Sequence, residues 1–85
     1  MTKVVNLHKH KFFEGTMKIQ DEIENAWASG ITSLTFIHGH NNGTAFRNYI
    51  RNGDMKKKAN PNVRDSIVIH HIDKGNTEIV FNLDD

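Results

Sequence analysis

Apolar and polar residues alternate over residues 3–8, Lys-Val-Val-Asn-Leu-His, a pattern that predicts a strand. Val5 and Leu7 fall on one face, and Val4, Asn6 and His8 on the other. The period then changes. Over residues 12–29, Phe12, Thr16, Ile19, Ile23 and Ala26/Trp27 recur at helical spacing, with Phe13 and Met17 widening the stripe. Gln20, Asp21, Glu24 and Asn25 lie away from it, and Gly30 is a natural left-handed stop. Trp27 and Phe12 read as core rather than as stacking platforms. A β-branched and aromatic run, 32–38, predicts a second strand with Leu34, Phe36 and His38 on one face. Residues 39–43 are loop, and 44–51 a second helix with Ala45/Phe46 and Tyr49/Ile50 as its apolar side. Asn52-Gly53 ends that helix, Asp54 caps one further turn carrying Met55 and the lysines, and Asn60-Pro61-Asn62 reads as loop. Strands at 66–72 and 77–83, joined by the short turn Lys74-Gly75-Asn76, form an antiparallel hairpin.

The order βαβαββ predicts an α/β fold: a two-layer sandwich in which two helices cover a four-stranded mixed sheet. The crossover units make the first three strands parallel, and the hairpin turns the last one back. The 85 residues are enough for a single domain, 1–85. Hydrophobic residues at 36% and charged residues at 25% place the chain among globular proteins.

Composition removes several chemistries. Without cysteine there are no disulfides, thiolate zinc sites or cysteine nucleophiles, and the absence fits a reducing compartment. No apolar run has the length of a signal peptide or of a membrane helix, so the expectation is a soluble cytoplasmic protein with no membrane partner. Oligomeric state is left open. A net charge of +1 conceals an uneven distribution: residues 47–64 hold six bases (Arg47, Arg51, Lys56, Lys57, Lys58, Arg64) against Asp54, whereas 14–24 hold four acids against Lys18. One basic face within a neutral total is what an anionic polymer would meet.

The candidate chemistry gathers where strands end. His8 closes the first strand and His38 the second; if these strands are parallel neighbours, both imidazoles lie at the C-terminal edge, where open α/β sheets bind ligands. The second strand continues through Gly39-His40-Asn41-Asn42-Gly43 into a helix. Free amides at a helix start, together with its dipole, favour an anion, and glycines allow close approach. Arg47 and Arg51 follow one turn apart, and a guanidinium grips phosphate oxygens bidentately. The pairs His8/His10 and His38/His40 are spaced to chelate, but no carboxylate lies close to either in sequence, so neither a metal site nor a cofactor is assigned. His70 and His71 point to opposite faces of one strand.

Val-Asn-Leu-His at 5–8, the helix with its Gly30 stop, and Phe-Ile-His-Gly at 36–39 with Gly43 and Arg47 resemble the Smr (small MutS-related) domain family. The likeness runs through the whole βαβαββ order. It implies DNA or RNA as partner and, in many members, endonuclease activity that nicks or cuts the backbone. Asn6 stands in place of the family's usual aspartate, Lys9 where a glycine often follows the histidine, and Asn41 in place of the second glycine of the His-Gly-x-Gly motif. An amide cannot serve as a carboxylate base, which leaves His8 or His38 as general acid or base. Gly39, His40, Asn41, Asn42, Gly43, Arg47 and Arg51 would hold the phosphate. Two other readings stand beside this one: a non-catalytic nucleic-acid-binding module using the same surface, and a protein-interaction domain.

Overall fold

The computed structural model describes residues 1–39 and 44–82. Its elements run β1 (Thr2–Asn6), α1 (Phe12–Ser29), β2 (Ser33–Ile37), α2 (Thr44–Arg51), α3 (Asp54–Lys58), α4 (Pro61–Arg64), β3 (Ile67–His71) and β4 (Asn76–Phe81). They form an α/β two-layer sandwich on a four-stranded mixed sheet, in the spatial order β1-β2-β4-β3. β1 lies parallel to β2, with Val5 beside Phe36 and Asn6 beside Ile37. β4 is antiparallel to both β2 and β3.

Two features of the element layout differ from the expectation. β3 runs in the same direction as β1 and β2 but does not pair with β2, because β4 is inserted between them. Side-chain character accounts for the choice. β4 alternates strictly, with Thr77, Ile79 and Phe81 buried, whereas β3 exposes Val68, His70 and His71. The strand with the more continuous apolar face takes the central position, and the one carrying two histidines takes the edge. Second, the segment read as a loop around Pro61 is a short helix. Asn60 caps it by accepting the Asn62 N–H at 2.9 Å, and Pro61 occupies the first helical position, where its missing N–H costs nothing.

One core lies between the sheet and the helices, centred on Leu7, Ile19, Ile23, Leu34, Phe36, Ile50, Met55 and Ile79. The buried stripe of α1 is Gly15, Ile19, Glu22, Ile23 and Ala26. It is rotated from the predicted one, for Phe12, Phe13 and Met17 are exposed. Gly15 explains the rotation: α2 crosses so closely that a Cβ there would stand 2.3 Å from the Phe46 ring. Gln20 is drawn between the helices, where its amide donates to the Tyr49 hydroxyl and the Met55 carbonyl. Trp27 packs edge-on to Phe81 at 5.7 Å, in keeping with its reading as a core residue. Gly30 closes α1 at φ 76°, as its position predicts.

Glu22 is the charged member of the buried stripe. Lys3 of β1 meets it at 2.8 Å and Lys18 at 3.4 Å, tying the edge strand to the helix. Burial would raise the Glu22 pKa, but the two ammonium groups outweigh it and hold the carboxyl below its ordinary value.

Candidate functional site

The parallel pairing of β1 and β2 brings both strand-end histidines to one edge of the sheet. Asn6↔Ile37 is the last register pair, and the ladder continues through Leu7 N–H to the Ile37 carbonyl at 2.9 Å. Leu7 and His38 therefore face the core, while His8 falls on the opposite parity. This difference of one residue separates the two imidazoles in kind.

His38 is 2% exposed. Its Nδ1 lies 2.8 Å from the Gly39 carbonyl, which can only accept, so Nδ1 carries the proton. Its Nε2 then accepts from the Thr77 hydroxyl at 2.9 Å, and the same Thr77 oxygen accepts from Arg51 Nε at 2.9 Å. Arg51 uses a second guanidinium nitrogen to bond the carbonyls of Asp73 and Asn76. The chain Arg51–Thr77–His38–Gly39 thus ties α2, β4, β2 and the β3–β4 turn together. Burial pushes the His38 pKa below its ordinary value; the Gly39 carbonyl opposes this, and the charges of Arg51 and Arg47 reinforce it. His38 is neutral, fixed in tautomer and enclosed. The geometry removes it from the groups able to reach a substrate, and it removes Arg51 from the groups free to grip a phosphate.

His8 is exposed. Its backbone N–H donates to Asn6 Oδ1 at 2.9 Å, an Asx turn that swings the chain off the end of β1. Asn6 therefore shapes the His8 turn. The His8 ring lies against Gly39: a Cβ at position 39 would meet its Nε2 at 3.0 Å. Gly39 also sits at φ 75°, a conformation that glycine adopts freely. One carbonyl, that of Gly75, accepts from both His38 N–H (2.9 Å) and Gly39 N–H (3.0 Å), seating the β3–β4 turn against the loop. The turn is closed by Asp73, whose carboxylate takes the Gly75 N–H at 2.8 Å and the Asn76 amide at 2.9 Å. Those bonds, the Asn76 amide first, hold the Asp73 pKa below its ordinary value.

Arg47, in the first turn of α2, is half-buried and close enough to His38 and Arg51 to depress both pKa values. No hydrogen bond or ion pair holds its guanidinium among the described residues. His40, Asn41, Asn42 and Gly43, the rest of the predicted loop, lie outside the described residues.

Residues not singled out by their sequence also border this edge. Lys9 and Lys11 are exposed between the end of β1 and the start of α1, and Lys74 is exposed in the β3–β4 turn. α1 opens here with no side-chain cap on its first turn. The signal available was adjacency: His8 is followed by Lys9, and His10 by Lys11. Of the six bases in 47–64, two are structural, since Arg64 bonds the carbonyls of Lys56, Lys57 and Ala59 as Arg51 bonds those of the turn. Lys57 and Lys58 remain exposed. His70 stands 3.8 Å from Glu78 on the uncovered sheet face, and His71 is exposed on the edge strand. His10 is half-buried, and its Nδ1 has no partner among the described residues.

Among the described residues no group of three or more His, Cys, Asp or Glu is placed to hold a metal ion, and no helix is long and apolar enough to cross a membrane. No family model matches the chain, and neither a curated protein nor a solved structure matches it.

Proposed function

We propose that this chain is an Smr-like nucleic-acid-binding domain that holds a DNA or RNA backbone phosphate at the C-terminal edge of β1 and β2. The observation that carries the reading is one juxtaposition. An exposed imidazole rests on a left-handed glycine, near a helix whose first-turn arginine has no hydrogen-bond or ion-pair partner among the described residues. Such a place offers backbone amides, a helix dipole and a free guanidinium to an anion. Lys9, Lys11 and Lys74 extend the positive field around it. The motifs at 5–8 and 36–39 support the same ligand through their likeness to the family.

The buried state of His38 favours binding without turnover as the second reading. Cleavage by proton transfer needs one group to deprotonate the nucleophile and another to protonate the leaving oxygen. Among the described residues His8 is the fully exposed imidazole at this edge, and it can fill only one of those roles at a time. Two measurements test the pair of readings. Binding to short DNA and RNA should weaken steeply with salt and should weaken further in Arg47→Ala. An unchanged affinity in that variant would show that the surface is wrong. Incubation with supercoiled plasmid and with single-stranded RNA separates the enzyme from the binder: nicking abolished in His8→Ala supports catalysis, and intact substrate supports the module.

A further inference from the structure

The start of α1 carries three large apolar side chains in solvent: Phe12 is 48% exposed, Phe13 74% and Met17 55%. A contiguous patch of this kind on so small a domain marks a binding surface. It lines a groove of about 440 Å³ between α1 and the Tyr49–Lys58 side of the helical layer. Phe12 forms the floor. Its ring stacks on Phe46 at 5.6 Å and meets Tyr49 edge-on at 6.0 Å, contacts that orient it. Phe46 directly precedes Arg47 in α2, and Phe12 directly follows Lys11 at the sheet edge. The stack of Phe12 on Phe46 joins the groove to the first turn of α2, where Arg47 stands. Lys58 and Asp21 both line it, with the exposed Lys57 next to Lys58 and the exposed Lys11 next to Phe12 in sequence.

We infer that the nucleic acid is single-stranded, and that its bases stack in the groove at Phe12 and Phe13 while its phosphates occupy the His8–Gly39–Arg47 edge. The inference rests on the phosphate-edge reading above. Flat aromatic faces bordered by ammonium groups suit a polyanion that also presents flat apolar faces. A single strand presents both. A duplex keeps its base faces inside the stack and can use the edge alone.

The test compares three labelled ligands of equal length by fluorescence anisotropy: an oligothymidylate strand, an abasic strand and a duplex. The wild type should bind thymidylate more tightly than either of the others. Phe13→Ala should weaken thymidylate binding about tenfold, the size of one lost base stack, and leave the other two unchanged. Phe13→Trp should restore it, and because Phe13 lies largely in water, the variants should melt as the wild type does. Arg47→Ala should weaken all three. Equal wild-type affinity for thymidylate and the abasic strand would overturn the inference, as would a uniform loss in Phe13→Ala; the edge reading survives either result if Arg47→Ala still weakens every ligand. If Arg47→Ala changes none, the edge reading fails and takes the inference with it. The inference is also overturned if Phe13→Ala leaves thymidylate binding intact but abolishes self-association in sedimentation, or binding to phosphatidylglycerol vesicles.

Discussion

Two histidines end two adjacent parallel strands, and the molecule uses them in opposite ways. His38 continues the inward row of Leu34 and Phe36; it is enclosed, neutral, and bonded through both nitrogens to Gly39 and Thr77. His8 continues the outward row of Val4 and Asn6, and its ring lies in solvent over Gly39. The arginines divide in the same way. Arg51 is bound into the β3–β4 turn, and Arg47, one helical turn earlier, is free of hydrogen bonds and ion pairs among the described residues. Position at a strand end delivers a residue to the ligand edge of an α/β sheet, but the parity of that residue decides whether it meets the ligand or supports the edge from beneath. The buried half orients the exposed half, because the Gly39 that carries the His8 ring is itself gripped through its carbonyl by His38.

If that division holds, substitutions in the buried half should cost stability and those in the exposed half should cost affinity. The largest effect is expected from His38→Ala, which opens a cavity and strands the Thr77 and Arg51 partners. It should destabilise by about 2–4 kcal/mol in urea unfolding. A loss below about 0.5 kcal/mol would break the comparison. Gly39→Ala joins the halves: a left-handed alanine pressed on the His8 ring should cost about 1–3 kcal/mol and also weaken phosphate binding, read by melting and by anisotropy on one preparation. Next, Arg51→Met should lower stability by about 1–2 kcal/mol, whereas Arg47→Met should leave it within about 0.5 kcal/mol while reducing affinity.

A pH series sharpens the contrast further. The His38 pKa is depressed in the folded protein, so above the ordinary value of 6.5 folded and unfolded chains bind the same protons at this site. Below 6.5 the unfolded chain takes up a proton that the folded one refuses, and stability falls with pH down to the folded-state pKa. Denaturation midpoints at about pH 7.5 and about pH 5.5 should therefore differ, with the acid side weaker, and His38→Gln should shrink the difference. Asp73 and Glu22, also depressed, act only below their ordinary values of 3.8 and 4.5 and so leave this window clear. The smallest effect on stability belongs to His8→Ala, expected within about 0.5 kcal/mol of wild type, with its consequence confined to ligand binding.

Much of this was legible along the chain. The period-2 rows put Val5 with Leu7, His8 on the opposite face, and His38 with Leu34 and Phe36, and Gly30 marked the end of α1; which face of each strand met the core came from the structure. Local pattern determines such features because a strand has only two faces and a left-handed stop favours glycine. The position of β4 between β2 and β3 was not legible, since strand order depends on which strand buries more against the helices. Nor was the turning of Phe12, Phe13 and Met17 outward. The decisive neighbour was Phe46, thirty-one positions beyond Gly15, whose ring fills the space against Gly15 and rotates α1 about its axis.

By itself, then, the sequence determined the elements, the parity of each strand residue and the gathering of histidines at one edge, all consequences of backbone geometry acting over a few residues. Only the tertiary structure decided which of the two histidines was buried and which of the two arginines was bonded into the fold. That outcome depends on Thr77, Asp73 and Asn76, which arrive from a distant hairpin and satisfy the polar groups of one member of each pair. Burial is allowed only where such partners exist, and no local pattern states where they will be.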